Sequence, residues 1–179
     1  MQRTKAVLSL MLFLIGFAVG FDIRDPLPVI LTPESPLYAS KLVAEEREVN
    51  NAGIPLKRLA VYGRLIIFRI NEMDAILKKG RPDYLNCLCM SYYRTLRRNN
   101  ADLQEIYAAG KLPKERALEV RENLINGREK LAGMENGAAG EARMLLKRAI
   151  ERTDKAIASI DSMMKGVEVE KIKSTDGWN

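Results

Sequence analysis

Apolar residues recur three or four positions apart through long stretches of this chain, and that spacing restricts what it can fold into. In segment 55–79 the repeat is formed by Leu59, Tyr62, Ile66, Ile70, Met73 and Leu77. Such spacing places these side chains on one face of an α-helix. A strand over 59–70 is the alternative, but the uninterrupted run to Lys79 favours a helix. We therefore predict a helix over 55–79.

Three further segments repeat the pattern, over 82–109, 113–133 and 138–165, and glycine or proline separates them. The inward positions are Leu85, Leu88, Tyr92, Leu96, Leu103 and Ile106, then Ala117, Val120, Leu124, Gly127 and Leu131, then Ala142, Leu145, Ala149, Thr153, Ala156, Ile160 and Met163. The first of these faces needs Asn99 at an inward position. We predict three more helices, with residues 133–140 as a loop.

A shorter helix is predicted before these four. Residues 22–34 contain Pro26, Pro28 and Pro33, which block helix and predict an extended linker. Ser35 followed by Pro36 is typical of a helix N-terminus. The predicted helix covers 36–50, with Leu37, Leu42 and Val49 inward and the charged residues 45–48 mostly outward.

Four long helices joined by short loops predict an all-α fold, an antiparallel four-helix bundle with a short preceding helix. We divide the chain into a signal peptide or anchor at 1–20, an extended linker at 21–34, a helical bundle domain at 35–166 and a mobile tail at 167–179. Gly166 is predicted to cap the last helix. Trp178 falls in the tail.

The N-terminus has the pattern of an export signal. Arg3 and Lys5 precede an uncharged run over 6–19, and small residues end it at Gly20. The run to Phe21 is shorter than the roughly 20 residues that span a bilayer. We expect cleavage after Gly20, with an uncleaved anchor as the alternative. The expected location is the periplasm or an extracytoplasmic surface.

The residue types exclude several kinds of site. The sequence contains no histidine, which excludes Ser-His and Cys-His nucleophile pairs and imidazole ligation of zinc or haem. The chain has neither the Asp-x-Asp-x-Asp-Gly pattern of a calcium loop nor a glycine loop followed by Lys-Ser/Thr. We therefore predict no catalytic, cofactor-binding or metal-binding residues, and we predict that the chain is not an enzyme.

Basic residues are in excess, since the sequence carries a net charge of +6. The charges are interleaved, and the densest basic group is Arg94, Arg97 and Arg98. These side chains are placed to touch phosphate or an anionic lipid surface, although a solvated helix face is the interpretation we favour. Nucleic-acid binding is not expected.

Two cysteines, Cys87 and Cys89, are too few for a typical disulfide scaffold. Two residues apart on a helix, they point to different faces and cannot pair without distortion. We interpret them as small buried apolar residues. A bridge between two copies through Cys89 is the alternative.

Two stretches carry a resemblance to a known family: Leu31-Thr-Pro-Glu-Ser-Pro-Leu-Tyr38 with Lys41 and Glu45-Glu46, and the helix segment 69–80. They are similar to an uncharacterised family of exported archaeal and bacterial helical proteins. Its members carry a Pro-Asp-Ser-Pro-Leu-Tyr-like motif after a signal peptide. The resemblance covers about residues 31–110. Glu34 stands where Asp is usual, and Ile70 where Leu is usual.

The resemblance implies an extracytoplasmic helical protein and transfers no catalytic residue. The motif also has a local explanation, with Tyr38 as a packing anchor rather than part of a ligand pocket. We expect a non-catalytic protein that acts in the cell envelope through a protein partner, self-association or structural support. Contact with the membrane is expected only through an uncleaved N-terminal segment.

The alternative is an extracytoplasmic sensor or a small-ligand or ion-binding domain. Its candidate residues are Asn99 and Glu72, polar side chains on otherwise apolar helix faces. An enzyme could use a carboxylate pair such as Glu72 and Asp74 for acid–base work. Residues two apart point to different sides of a helix, so we do not expect acid–base chemistry from them.

Overall fold

The computed structural model of the chain describes the backbone of residues 31–175 and the side chains of residues 31–166, and this part is helical without a strand. The prediction of an all-α fold is therefore confirmed for the described residues. The helices are α1 (Tyr38–Asn51), α2 (Pro55–Lys78), α3 (Leu85–Ala108), α4 (Lys114–Gly137) and α5 (Gly140–Thr175). A 3₁₀ turn at Pro82–Tyr84 precedes α3.

The core is formed by the faces that the apolar spacing predicts on α2 to α5. Most of the predicted inward side chains are buried, and Leu59, Tyr92, Leu124 and Ile160 are each at most 1% exposed. Leu77 and Ala142 are partly buried at its edge. Burying large apolar side chains stabilises each helix against its neighbours by about 1.5–3 kcal/mol per residue before chain entropy is subtracted.

Side-chain bonds show the direction in which neighbouring helices run. Between α2 and α3, Arg58 bonds Asp102 at 2.7 Å and Arg69 bonds Ser91 at 2.8 Å. The residue numbers change in opposite senses, so these two helices are antiparallel. The helices α4 and α5 are antiparallel by the same criterion, since Arg121 bonds Asp161 and Arg128 bonds Asp154. Each pair is a helical hairpin with a short connection.

The two hairpins meet with like-directed helices side by side. The hydroxyl of Tyr92 in α3 lies 2.6 Å from that of Thr153 in α5, and Tyr107 of α3 packs on Gly166 of α5. From the first contact to the second, the residue numbers increase along both helices, so α3 and α5 are parallel. The helices α2 and α4 also pack together, with Gly127 of α4 against Ile70 of α2.

Residues 109–113 form the short connection between the two hairpins. Although this connection is short, α3 and α4 pack little against each other in the described part of the chain. The expectation that short loops make packed neighbours therefore applies within each hairpin but not between them. The partner of α4 across the core is α2 instead.

The predicted loop at 133–140 is mostly helix. The helix α4 continues to Gly137, and only residues 138 and 139 join it to α5. A glycine inside a helix costs about 1 kcal/mol relative to alanine. The apolar contacts of Leu131 and Met134 with the core offset that cost. The glycines at 133, 137 and 140 therefore predicted a longer interruption between the two helices than the structure has.

The predicted end of the last helix at Lys165 is also wrong, because α5 stays helical through Gly166 to Thr175. Gly166 is not a cap. Its Cα faces Tyr107, and an added Cβ would lie within van der Waals overlap of the phenol ring. The glycine leaves room for the end of the Tyr107 side chain to pack on α5. The mobility predicted for the tail stays a prediction, and Trp178 lies outside the described residues.

The beginning of α1 also differs from prediction. The helix starts at Tyr38 rather than Pro36, and its N-cap residue is Leu37. Ser35 still acts locally, since its Oγ accepts a hydrogen bond from the Leu37 amide at 3.3 Å. Its own amide bonds the carbonyl of Thr32 at 2.8 Å, so the end of the predicted linker forms a turn.

The packing of α1 agrees with the prediction in part, since Glu46 and Arg47 are exposed as expected. Val49 is buried as predicted, but Leu37 and Leu42 are 56% and 37% exposed and do not point inward. Glu45, predicted on the outer face, has a side chain only 12% exposed. The helix contacts α2 in two ways: Val49 packs against Tyr62 and Leu65, and charged residues of α1 pair with charged residues of α2.

Candidate functional site: the charged cluster beneath α1

A cluster of charged side chains lies between α1, α2 and α3. Lys41 and Glu45 stand one turn apart on the inner face of α1. Arg69 and Glu72 stand three residues apart on α2, between turns whose other side chains enter the apolar core. We call these four residues the charged cluster.

Arg69 occupies the centre of the charged cluster. Its Nη1 donates to the two carboxylate oxygens of Glu72 at 2.9 and 3.1 Å. Its Nε donates to Ser91 Oγ of α3 at 2.8 Å. The same guanidinium contacts Glu45 of α1. One arginine therefore joins three helices through the planar fork of donors that suits carboxylates.

Glu72 receives two further donors from α1. Lys41 forms an ion pair with it, and the Tyr38 hydroxyl donates to its Oε2 at 3.0 Å. Tyr38 is half-buried and packs against the core. It therefore acts as an anchor, as predicted, through both its ring and its hydroxyl.

The charged cluster is deeply enclosed and electrically balanced. The side chains of Arg69 and Glu72 are 3% and 1% exposed, and those of Lys41 and Glu45 are 20% and 12% exposed. Two cations face two anions. A buried charge is tolerated when it is paired and hydrogen-bonded. The charged cluster meets that condition, because each of its charged side chains is paired with an opposite charge within the cluster.

Burial changes the acidity of the α1 side chains. It raises the pKa of Tyr38 to about 12 and lowers the pKa of Lys41 from its ordinary value, with Glu45 opposing the latter change. Tyr38 therefore remains a hydrogen-bond donor at neutral pH. The donors and acceptors of the cluster are paired with one another, which favours a role in holding α1 in place.

Sequence reasoning missed the charged cluster, although two signals were present. Lys41 and Glu45 have the i,i+4 spacing of an ion pair, and Arg69 and Glu72 have the i,i+3 spacing. The stronger signal is that the charged residues Arg69 and Glu72 follow directly after a wholly apolar turn of α2 over 65–68. Apolar periodicity alone does not detect a helix that packs through charges.

The two polar residues predicted as ligand candidates are not brought together. Glu72 belongs to the charged cluster, at the level of Ser91 on α3. Asn99 lies on α3 eight residues farther along, about 12 Å at 1.5 Å per residue. It is inward as predicted, 1% exposed, and its Oδ1 has no hydrogen-bond partner among the described residues.

The carboxylate pair considered for an enzyme is also separated. Glu72 is buried, whereas Asp74 is half-buried and pairs with Lys78 at 2.6 Å. Asp74 lines a surface depression of about 350 Å³ between α2 and α4, together with Ile70, Asn71, Lys130, Gly133 and Met134. The two carboxylates therefore face different environments.

The cysteines are free, with Cys87 exposed and Cys89 buried. Burial raises the pKa of Cys89 to about 11. A bridge between two copies through Cys89 is therefore not supported, because its sulfur is not accessible. The interpretation as buried apolar residues is correct for Cys89 and wrong for Cys87.

The basic group on α3 is at the surface. Arg94 and Arg97 are exposed, and Arg98 is half-buried and donates to Glu46 of α1 at 2.7 Å. Arg98 therefore belongs to the attachment of α1, and the other two arginines face solvent.

Within the described part of the chain, no group of three or more Cys, Asp or Glu side chains is placed to hold a metal ion. None of the described helices is long and apolar enough to cross a membrane. The predicted signal segment, its cleavage after Gly20 and most of the linker lie outside the described residues.

Comparisons with protein-family models, curated proteins and solved structures find no match to this chain. The resemblance of residues 31–110 to exported helical proteins therefore stays an expectation from the motifs.

Proposed function

We propose that this chain is a non-catalytic exported protein that acts in the cell envelope by contact with a protein partner or by structural support. The absence of histidine and of phosphate or metal motifs supports it. So does the N-terminal charge and hydropathy pattern.

The observation that carries the proposal is the inverted surface of α1. This helix turns Lys41 and Glu45 toward the core, while Leu42 and Val43 are 37% and 53% exposed. Helices that only cover a core have the opposite pattern. A partner that covers α1 would remove these apolar side chains from water, which is favourable by roughly 25 cal/mol per Å².

The proposed architecture is a four-helix bundle of two antiparallel hairpins, α2–α3 and α4–α5, with α1 laid on α2 and α3. The contacts between Tyr92 and Thr153 and between Gly127 and Ile70 support this arrangement. It leaves the outer face of α1 at the molecular surface, where a partner has access.

Site-specific photo-cross-linking tests the proposal. The full chain is produced in its own cells with a photoreactive amino acid in place of Val43. The cell envelope is then irradiated. We expect a discrete heavier adduct. The matched control places the same residue at Glu129, an exposed position on α4, where we expect no such adduct. Recovery of monomer alone from both variants would contradict the proposal.

The depression between α2 and α4 favours the second candidate, a sensor or ligand-binding domain. Its charged groups, Asp74 and Lys130, carry opposite charges, and together with Asn71 they would select a polar ligand. A thermal-shift screen of the full chain against metals, anions and small metabolites tests this. We expect a ligand that binds to raise the unfolding temperature. If none of the compounds raises it, the ligand-binding candidate loses its support.

A further inference from the structure

A strongly basic surface runs along the parallel helices α3 and α5. Five exposed cations form it: Arg94 and Arg97 on α3, and Arg148, Arg152 and Lys155 on α5. We call this set the basic face. In the described residues none of the five is paired with a carboxylate, in contrast to Arg98, Arg121, Arg128 and Arg143.

Tyr93 shows that these cations share one surface. Its ring lies 4.3 Å beneath the guanidinium of Arg152, and its hydroxyl donates to the Leu145 carbonyl at 3.4 Å. Arg97 follows Tyr93 by one turn, and Arg148 precedes Arg152 by one turn. Residues one turn apart lie on the same side of a helix, so both arginines border the groove between α3 and α5.

Acidic residues are scarce at this surface. From Met90 to Arg98, α3 carries three arginines and no acid. On α5, Asp154 is turned to Arg128 of α4, which leaves Glu151 as the exposed acid within 144–155. The potential above the basic face is therefore positive and attracts anions.

Two apolar side chains lie at one end of the basic face. Met90 of α3 and Met144 of α5 are 57% and 56% exposed. A flexible apolar side chain beside cations is the combination that enters the headgroup boundary of a bilayer. Binding of single-stranded nucleic acid would instead call for exposed aromatic rings, and Tyr93 is covered by Arg152.

The chain enters the described part of the structure at this same end of the molecule. Glu34 bonds Lys79 at 3.1 Å and Arg81 at 3.2 Å. The chain therefore enters where α2 joins α3, the end that also holds Met90. Residues 1–30 precede this point and include the apolar run 6–21. An N-terminus held in a bilayer would bring this end of the molecule toward the lipid.

We propose that the basic face binds the phosphate headgroups of an anionic lipid bilayer, with Met90 and Met144 entering the interface. This would be a second membrane contact, separate from the N-terminal segment. It does not depend on a protein partner, so it and the proposed function can fail separately.

Vesicle partitioning of the full chain tests the proposal. The ratio of binding to phosphatidylcholine vesicles with and without phosphatidylglycerol is measured at equal lipid. Arg3 and Lys5 of the N-terminal segment also favour anionic lipid, so the ratio of each variant is compared with that of the wild type, which has the same segment. We expect the wild type to prefer anionic vesicles and to lose that preference in high salt. The R97Q/R148Q variant should lower the ratio by roughly tenfold or more.

The matched control is K57Q/K111Q, which removes the same net charge from exposed positions on α2 and in the connection 109–113. It should leave the ratio near the wild-type value. A wild-type ratio near one, as expected if the basic face binds acidic proteins instead, would overturn the proposal. So would an equal fall in both variants, because net charge alone would then explain the preference.

Discussion

At the scale of single residues, one hydrogen bond in the core joins the parallel helices α3 and α5. Thr153 donates its hydroxyl proton to the Ala149 carbonyl at 2.8 Å. Its oxygen therefore accepts from the Tyr92 hydroxyl at 2.6 Å. Both side chains are fully buried. Because bulk water cannot reach either hydroxyl, loss of one partner leaves the other without its hydrogen bond. The contributions of the two residues to stability therefore depend on each other.

This pair predicts a non-additive double-mutant cycle. Thr153→Val leaves the Tyr92 hydroxyl unpartnered and should cost about 1–3 kcal/mol of unfolding free energy. Tyr92→Phe should cost about 1 kcal/mol. The double variant should cost less than the sum of the two, measured by urea denaturation.

Thr95→Val is the control for that cycle. Thr95 makes the same i−4 bond, to the Ser91 carbonyl at 3.1 Å, and bonds no tyrosine hydroxyl. We expect a smaller loss than for Thr153→Val. Strict additivity of the Tyr92 and Thr153 changes would show that the bond contributes nothing.

Two helical glycines of α4 predict opposite effects of the same substitution. An added Cβ at Gly127 would lie 2.8 Å from Cδ1 of the buried Ile70, while Gly133 has open space around it. Gly133→Ala should therefore stabilise the protein by about 0.5–1 kcal/mol. Gly127→Ala should be less stable than Gly133→Ala by at least about 1 kcal/mol, because overpacking offsets the helical gain.

Thermal and urea unfolding of the two glycine variants measure this difference. Equal stabilisation by both substitutions would mean that Ile70 moves aside without cost, and the close approach of α2 and α4 would not require glycine.

At the scale of elements, α1 is held by charges, and two arginines that contact it differ in burial. Arg69 lies in the charged cluster with 3% of its side chain exposed, whereas Arg98 and its partner Glu46 are 39% and 48% exposed. Arg69→Met leaves two enclosed carboxylates, Glu72 and Glu45, facing the single cation Lys41, and should cost about 3–5 kcal/mol. Arg98→Met should cost less than about 1 kcal/mol.

Urea denaturation gives these two free energies, and proteolysis within residues 38–51 reports release of α1. Similar small losses for both variants would show that the charged cluster does not hold the helix.

The sequence predicted α2 to α5 because their stability comes from apolar faces, which periodicity detects directly. The position of α1 was not predictable in that way. Leu42 and Glu45 were assigned to the wrong sides, since burial of Glu45 depends on Arg69, a residue distant in sequence. The charged cluster was missed for the same reason. Helix ends at Gly137 and Gly166 were misjudged, because core contacts and close packing outweigh local propensity there.

At the scale of the whole molecule, buried tyrosines predict loss of stability in alkali. Burial raises the pKa of Tyr38, Tyr92 and Tyr93 to about 12 each, above the ordinary value of 10. Between pH 10 and 12 the unfolded chain releases protons that the folded chain retains. The stability contributed by the three tyrosines is therefore complete below pH 10 and falls as the pH rises. The raised pKa of Cys89 adds a loss in the same sense that begins near pH 9. The lowered pKa of Lys41 acts in the opposite sense and reduces the fall.

Urea titrations from pH 9 to 12 measure this dependence. Tyr92→Phe should make the decline less steep by up to about 1.4 kcal/mol per pH unit, since it removes one fully buried phenol. A stability that rises over this range would contradict the prediction.

The connection at 109–113 has a consequence for how the molecule can be taken apart. This connection is the one covalent link between the two hairpins. The side-chain bonds that define each hairpin join residues that both precede it or both follow it in the sequence. A nick there would leave α1 to α3 in one fragment and α4 with α5 in the other. The molecule is thus laid out as two complementary halves, whose reassembly would rely on the contacts of Tyr92 with Thr153 and of Ile70 with Gly127.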